Sequence, residues 1–126
     1  MEDKNMMQNQ PPTILLVGND STLRYLLGRF AEQSGYFLAV ISESLSIEEV
    51  ESIHPAVILF MSTELLAARQ TRVVELASLE APIVVCSSVV EEARARELGA
   101  DYCLFHPLTY ADFHTTLSNA SAAKHD

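Results

Sequence analysis

Five short apolar runs with helix-like stretches between them constrain this sequence more than any other feature. They read TILLV (13–17), YFLAVI (36–41), AVILF (56–60), PIVVCS (82–87) and DYCLF (101–105). An unbroken apolar run of this length fits a strand buried on both faces. Such strands alternating with helices fit a parallel sheet covered on both sides. Right-handed crossovers then leave few topologies. The expected fold class is α/β: a three-layer αβα sandwich around a five-stranded parallel sheet.

The stretches between the runs carry helix punctuation. DSTLRYLLGRFAEQSG places Leu23, Leu27 and Phe30 on one face with Leu26 beside them. Asp20 caps its start and Gly35 ends it. In SIEEVESI (46–53), Ser46 and Glu49 have capping-box spacing, and Leu45 can staple to Val50. Residues 63–79 carry Leu65, Leu66, Val73 and Leu76 as one helical stripe. Ser88 with Glu91 makes a second box, and Gly99 a stop. Thr109 with Asp112 makes an acidic box across which Leu108 meets Phe113.

Composition removes several function classes. The net charge is −9 and the eight Lys and Arg are scattered, so no basic stripe exists for nucleic acid. The opening MEDKNMMQNQPP is polar and lacks the apolar segment of a signal peptide. A disordered lead-in is expected over 1–12, one domain over 13–121 and a frayed tail over 122–126. No apolar run approaches the length that crosses a bilayer, so no membrane partner is expected. Cys86 and Cys103 sit inside apolar runs and read as buried free thiols, which fits a cytoplasmic location. Cys86, Cys103, His54 and His106 lack metal-ligand spacing, and Ser87 lacks the context of a hydrolase nucleophile. Neither a cofactor nor enzymatic activity is expected.

The third run raises a chemical question. Ligands of α/β sheets bind outside the carboxyl ends of the strands. Here AVILF delivers Met61 to that end, followed by Ser62 and Thr63. A thioether does little chemistry there. Met61 is read either as a plug in a vacated pocket or as ordinary core, since methionine fills irregular gaps well.

Four stretches, in order, resemble the receiver domain of bacterial two-component response regulators: ILLVGNDSTLRYLL, PAVILFMS, PIVVCSS and GADYCLFHP. The resemblance spans roughly residues 13–121. It implies a flavodoxin-like (βα)5 domain with strand order 2-1-3-4-5, and it assigns roles position by position. The family's metal-binding acidic pair falls on Gly18 and Asn19, and its phosphoacceptor aspartate on Met61. Its phosphate-binding hydroxyl residue remains as Ser87. Its lysine before proline falls on His106, ahead of Pro107, with a cis His106–Pro107 bond implied. Its aromatic switch falls on Cys103, with Tyr102 one residue off. No Met-Pro or Gly follows Met61, and the connection from Ser87 to Gly99 looks shorter than is common in the family.

Chemically these departures matter together. Phosphoryl transfer to protein needs an oxygen nucleophile, which Met61 lacks. Mg²⁺ wants hard oxygen ligands with one or two carboxylates, and Gly18, Asn19 and Met61 offer none. An unperturbed histidine is mostly neutral near pH 7, so His106 is no substitute for a lysine charge. Asp20 reads as the helix cap, with a displaced metal ligand or alternative acceptor as the other option. Ser87 is expected to bond local backbone, and His106 to be hydrogen-bonded at the strand end.

The expected function is therefore a phosphorylation-independent pseudo-receiver. It would act as a protein-interaction module in two-component-type signalling, through a protein partner in trans or as a homodimer, and not through phosphorelay chemistry. By resemblance, its interaction or homodimer face is the fourth helix, fifth strand and fifth helix, here Glu91, Glu92, Arg94, Ala95, Leu98, Tyr102 and Cys103. The alternatives are a small-ligand sensor at the switch point near Gly18, Met61 and Ser87, or an unconventional phosphoacceptor using Asp20. The charged EEARARELG also fits a plain solvated helix surface.

Overall fold

A computed structural model of the chain describes residues 11–41 and 46–123. The strands are β1 (Thr13–Val17), β2 (Phe37–Ile41), β3 (Val57–Phe60), β4 (Ile83–Ser87) and β5 (Tyr102–Phe105). The α-helices are α1 (Ser21–Ser34), α2 (Ile47–Ile53), α3 (Thr63–Ala68), α4 (Gln70–Leu76), α5 (Glu92–Glu97) and α6 (Tyr110–Ala123), with 3₁₀ turns at Ala77–Leu79 and Val89–Glu91. All neighbouring strands pair in parallel, in the order β2-β1-β3-β4-β5. This is the flavodoxin-like order that the resemblance implied.

Strand alternation splits the core into two slabs. On one face Leu15, Val17, Ile58, Phe60, Ile83 and Val85 pack under α2, α3, α4 and α5 through Val50, Leu66, Val73 and Ala95. On the other, Ile14, Leu16, Leu59, Val84 and Leu104 meet Leu27 and Ala31 of α1 and Phe113 and Leu117 of α6. The three central strands are buried along their whole length, apart from half-buried Thr13. β2 departs from the two-sided burial that its apolar run suggested. It lies at the sheet edge, and Phe37 is 59% exposed.

The caps follow the sequence closely. Asp20 accepts the Leu23 N–H at 3.0 Å and opens α1. Gly35 closes it in the left-handed conformation. Ser46 accepts the Glu49 N–H at 3.2 Å, while the Leu45 staple and the termini 1–10 and 124–126 lie outside the described residues. Ser88 and Glu91 form the reciprocal box, although it opens a 3₁₀ turn before α5. Thr109 accepts the Asp112 N–H at 3.1 Å. Beyond it, α6 continues through Ala123, into the stretch read as tail.

Residues 63–79 form two helices rather than one. The backbone leaves helical geometry at Arg69 (φ −113°, ψ 30°). The Leu66 carbonyl is taken by the Gln70 side-chain amide at 2.9 Å, and the same amide nitrogen donates to the Leu98 carbonyl at 2.9 Å. The break re-aims α4 so that Val73 and Leu76 both reach the core.

Candidate functional site

The carboxyl ends of β1 and β3 build the site. Past β1, the Gly18 N–H donates to Ile41 O at 3.0 Å. Past β3, the Met61 N–H donates to Val17 O at 3.0 Å. The ladder thus runs one step beyond the strands and pins Gly18 and Met61 side by side.

Met61 is only 5% exposed. Its side chain lies across Gly18: a Cβ there would sit 2.6 Å from Met61 Sδ, 2.7 Å from its Cγ and 2.9 Å from its Cβ. Gly18 also holds φ +142°, a conformation that side-chain-bearing residues rarely adopt. The Asp20 N–H points at Met61 Sδ from 3.4 Å, within reach of a weak N–H···S hydrogen bond. The thioether therefore fills the space that a side chain at position 18 would need. Sequence reading treated these two positions as separate departures; their mutual packing is visible only in three dimensions.

Around Met61 lies an open depression of about 390 Å³ lined by Gly18, Asn19, Asp20, Met61, Ser62 and Glu64, with Leu65 and Ala68 at its side. Asn19 and Asp20 are exposed. Asp20 Oδ1 is engaged as the α1 cap. Glu64, in the first turn of α3, was not singled out from sequence; its place one turn into the helix after β3 was the available signal. The three positions that a receiver would use for Mg²⁺ and phosphate present no side chain, a neutral amide and a thioether. That donor set does not fit a hard divalent cation. Among the described residues, no group of three or more His, Cys, Asp or Glu side chains comes together as a metal site.

Ser87, His106 and Pro107 stand at neighbouring strand ends but do not line this depression. Their link is backbone: the His106 N–H donates to Ser87 O at 3.1 Å, and the His106–Pro107 bond is cis. The His106 side chain is exposed and makes no hydrogen bond with the described residues, unlike the bonded histidine expected. Ser87 also differs from expectation. It is 2% exposed, and its hydroxyl has no hydrogen-bond partner among the described residues. Alternation points it toward the α5 face, because Ile83 and Val85 of the same strand pack there. The Cys103 thiol is its polar neighbour. Burial raises the Cys103 pKa, opposed in part by the Arg96 guanidinium. Cys86, on the opposite face, is pushed up to about 12 by burial. Both cysteines are free and buried.

The surface anticipated along α5 and β5 needs correction. Ala95 and Cys103 are core residues, 0% and 9% exposed: both belong to the slab between the sheet and the helices on its α5 side, Ala95 from α5 and Cys103 from β5. Glu91 is half-buried and turns inward, where Oε1 accepts from Thr63 Oγ1 at 3.5 Å and from the Ser88 N–H at 3.3 Å. It ties the segment after β3 to the segment after β4. Glu92 pairs with Arg96 along the helix at 3.2 Å. Arg94 is exposed, while Leu98 and Tyr102 are half-buried. The most exposed apolar residue here is one that sequence reading passed over, Val90 at 92%.

Comparison with known proteins agrees on the fold. The structure is similar to a response-regulator receiver domain from Clostridium thermocellum (TM-score 0.70, 16% identity, 90% of this chain and 97% of that one). It is also similar to the N-terminal domain of a lantibiotic response regulator, the nisin resistance regulator (TM-score 0.70, 25% identity, 87% and 97%). A third is the receiver domain of a sensor histidine kinase from Pseudomonas aeruginosa, with magnesium coordinated in its active-site cleft (TM-score 0.69, 16% identity, 89% and 98%). No family model and no curated protein matches the sequence. The chain has a receiver-like fold.

Proposed function

We propose that this domain is a phosphorylation-independent pseudo-receiver, a bacterial, cytoplasmic protein-interaction module in two-component-type signalling rather than an enzyme. One observation carries the reading: Met61 occupies the end of β3 with its thioether laid over Gly18 and beneath the Asp20 N–H. A carboxylate nucleophile is missing where the receiver fold would place it, and the space for a first metal-binding side chain is filled. Where a receiver carries its lysine, an exposed histidine, His106, stands instead. Output then rests on surface contacts with a protein partner in trans or a second copy. Along α5 and β5 the groups available for such contact are Arg94, the outer edges of Leu98 and Tyr102, and Val90.

A small-ligand sensor at the same strand ends is less well supported, because Met61 faces Gly18 and floors the depression instead of turning away. An acceptor role for Asp20 competes with its capping bond to Leu23.

The test is an amide NMR titration with Mg²⁺ followed by beryllofluoride. Unchanged spectra are expected. Shifts centred on Asn19, Asp20 and Ser87 would overturn the reading.

A further inference from the structure

At the far end of the sheet from Met61, a groove of about 390 Å³ lies between α4 and the end of α5. Its apolar surface comes from Val74, Ala77, Ile83 and Leu98, and its charged lining residues are Glu97 and Asp101. Val74 is 72% exposed. No basic side chain lines the groove. Arg72 is paired with Glu75, and Arg96 with Glu92 and the Asp101 carbonyl. Asp101 Oδ2 accepts the Ile83 N–H at 2.8 Å, while Glu97 is exposed and makes no bond with the described residues.

The groove is held open by its own framework. Gly99 lies at φ +114°, and a Cβ there would come within 2.7 Å of Val73 Cγ1. The Gln70 amide spans from Leu66 O to Leu98 O. These contacts fix the spacing between α4 and the end of α5 without filling the space between them.

We infer that this groove docks a basic amphipathic segment of a partner protein, an apolar side chain seated against Val74 and Leu98 and Lys or Arg side chains facing Glu97 and Asp101. The apolar floor supplies contact area. The acidic rim, on a chain of net charge −9, selects the sign of the partner and speeds its approach. The inference rests on the interaction-module reading and gives that module a partner chemistry. It places the contact away from the Met61 depression and joins the α5–β5 surface only through the end of α5, at Glu97 and Leu98.

The experiment titrates the ¹⁵N-labelled chain with a synthetic helical peptide carrying leucine on one face and lysine on the other. Two controls replace every leucine by serine or every lysine by glutamate. Shifts are expected at Val74, Leu98 and Gly99 with the first peptide alone. Glu97→Lys and Val74→Lys, both at exposed positions, should each weaken binding about tenfold. Shifts elsewhere, no shifts, or equal binding of either control would overturn the inference. So would groove shifts that appear on concentrating the protein alone, since the occupant would then be a second copy. The phosphate-analogue titration fails or succeeds independently of these outcomes, so the two readings can be lost separately.

Discussion

Adding one methyl group at Gly18 tests the packing at the heart of the site. In Gly18→Ala the new Cβ meets Met61 Sδ at 2.6 Å, Cγ at 2.7 Å and Cβ at 2.9 Å, at φ +142°. Overpacking a filled site costs ~1–3 kcal/mol, and a backbone conformation foreign to alanine adds ~1–3 kcal/mol. The expected loss is therefore ~2–6 kcal/mol, measurable by urea unfolding. Met61→Ala removes two of the three overlaps but leaves its own Cβ in place. The double variant should recover most of the packing cost and none of the backbone cost. A double-mutant cycle should accordingly give a favourable coupling of ~1–2 kcal/mol. If Gly18→Ala cost under ~0.5 kcal/mol, or the two changes simply added, the thioether would not be filling the position-18 space.

Three further outcomes follow from the same geometry. Gly99→Ala should destabilise the fold by ~1–3 kcal/mol, and Val73→Ala in the same chain should relieve part of the added loss; equal stability of Gly99→Ala and the parent by thermal melting would contradict the contact. Because burial raises the Cys86 pKa to about 12, the folded state holds that proton more tightly than the unfolded chain. Stability should be level below the ordinary thiol range and fall above it, toward pH 12, by at most ~1.4 kcal/mol per unit. Alkaline urea titrations of the parent and Cys86→Ala should show the steeper slope in the parent. Asp20→Ala should cost ~1 kcal/mol through loss of the α1 cap, whereas Asp20→Asn keeps most of it; an acetyl-phosphate reaction giving a hydroxylamine-labile adduct that Asp20→Asn abolishes would make Asp20 an acceptor instead.

Much of the architecture was legible because local and global signals agree. The runs at Ile14–Val17, Val57–Phe60 and Ile83–Ser87 are apolar on both faces and lie in the sheet centre, where both faces are covered. Asp20, Ser88 and Thr109 carry their capping function within three residues, so spacing alone reveals it. What escaped depends on long-range contact. The break at Arg69 involves Gln70 reaching Leu98, 28 residues away, and the stripe from Leu65 to Leu76 carries no trace of it. Ala95 and Cys103 entered the anticipated surface only through the resemblance to receivers, which names a helix and a strand but not their outward sides; both side chains are buried. Position 18 and position 61 were each readable as departures from a receiver. Their shared volume was not, because sequence order holds no information about which side chain leans over which backbone.

Gln70 sets a condition on how this chain can age. Its amide nitrogen donates to two carbonyls on separate segments, Leu66 O and Leu98 O. A carboxylate has the same size but only acceptors. Hydrolysis of that one amide would set oxygen against oxygen at both contacts and add a negative charge between them. The clasp joining α4 to the end of α5 would become a wedge, with no atom of the backbone altered. A chemical event too small to see by mass beyond a single unit would thus be recorded as a change in the distance between two helices.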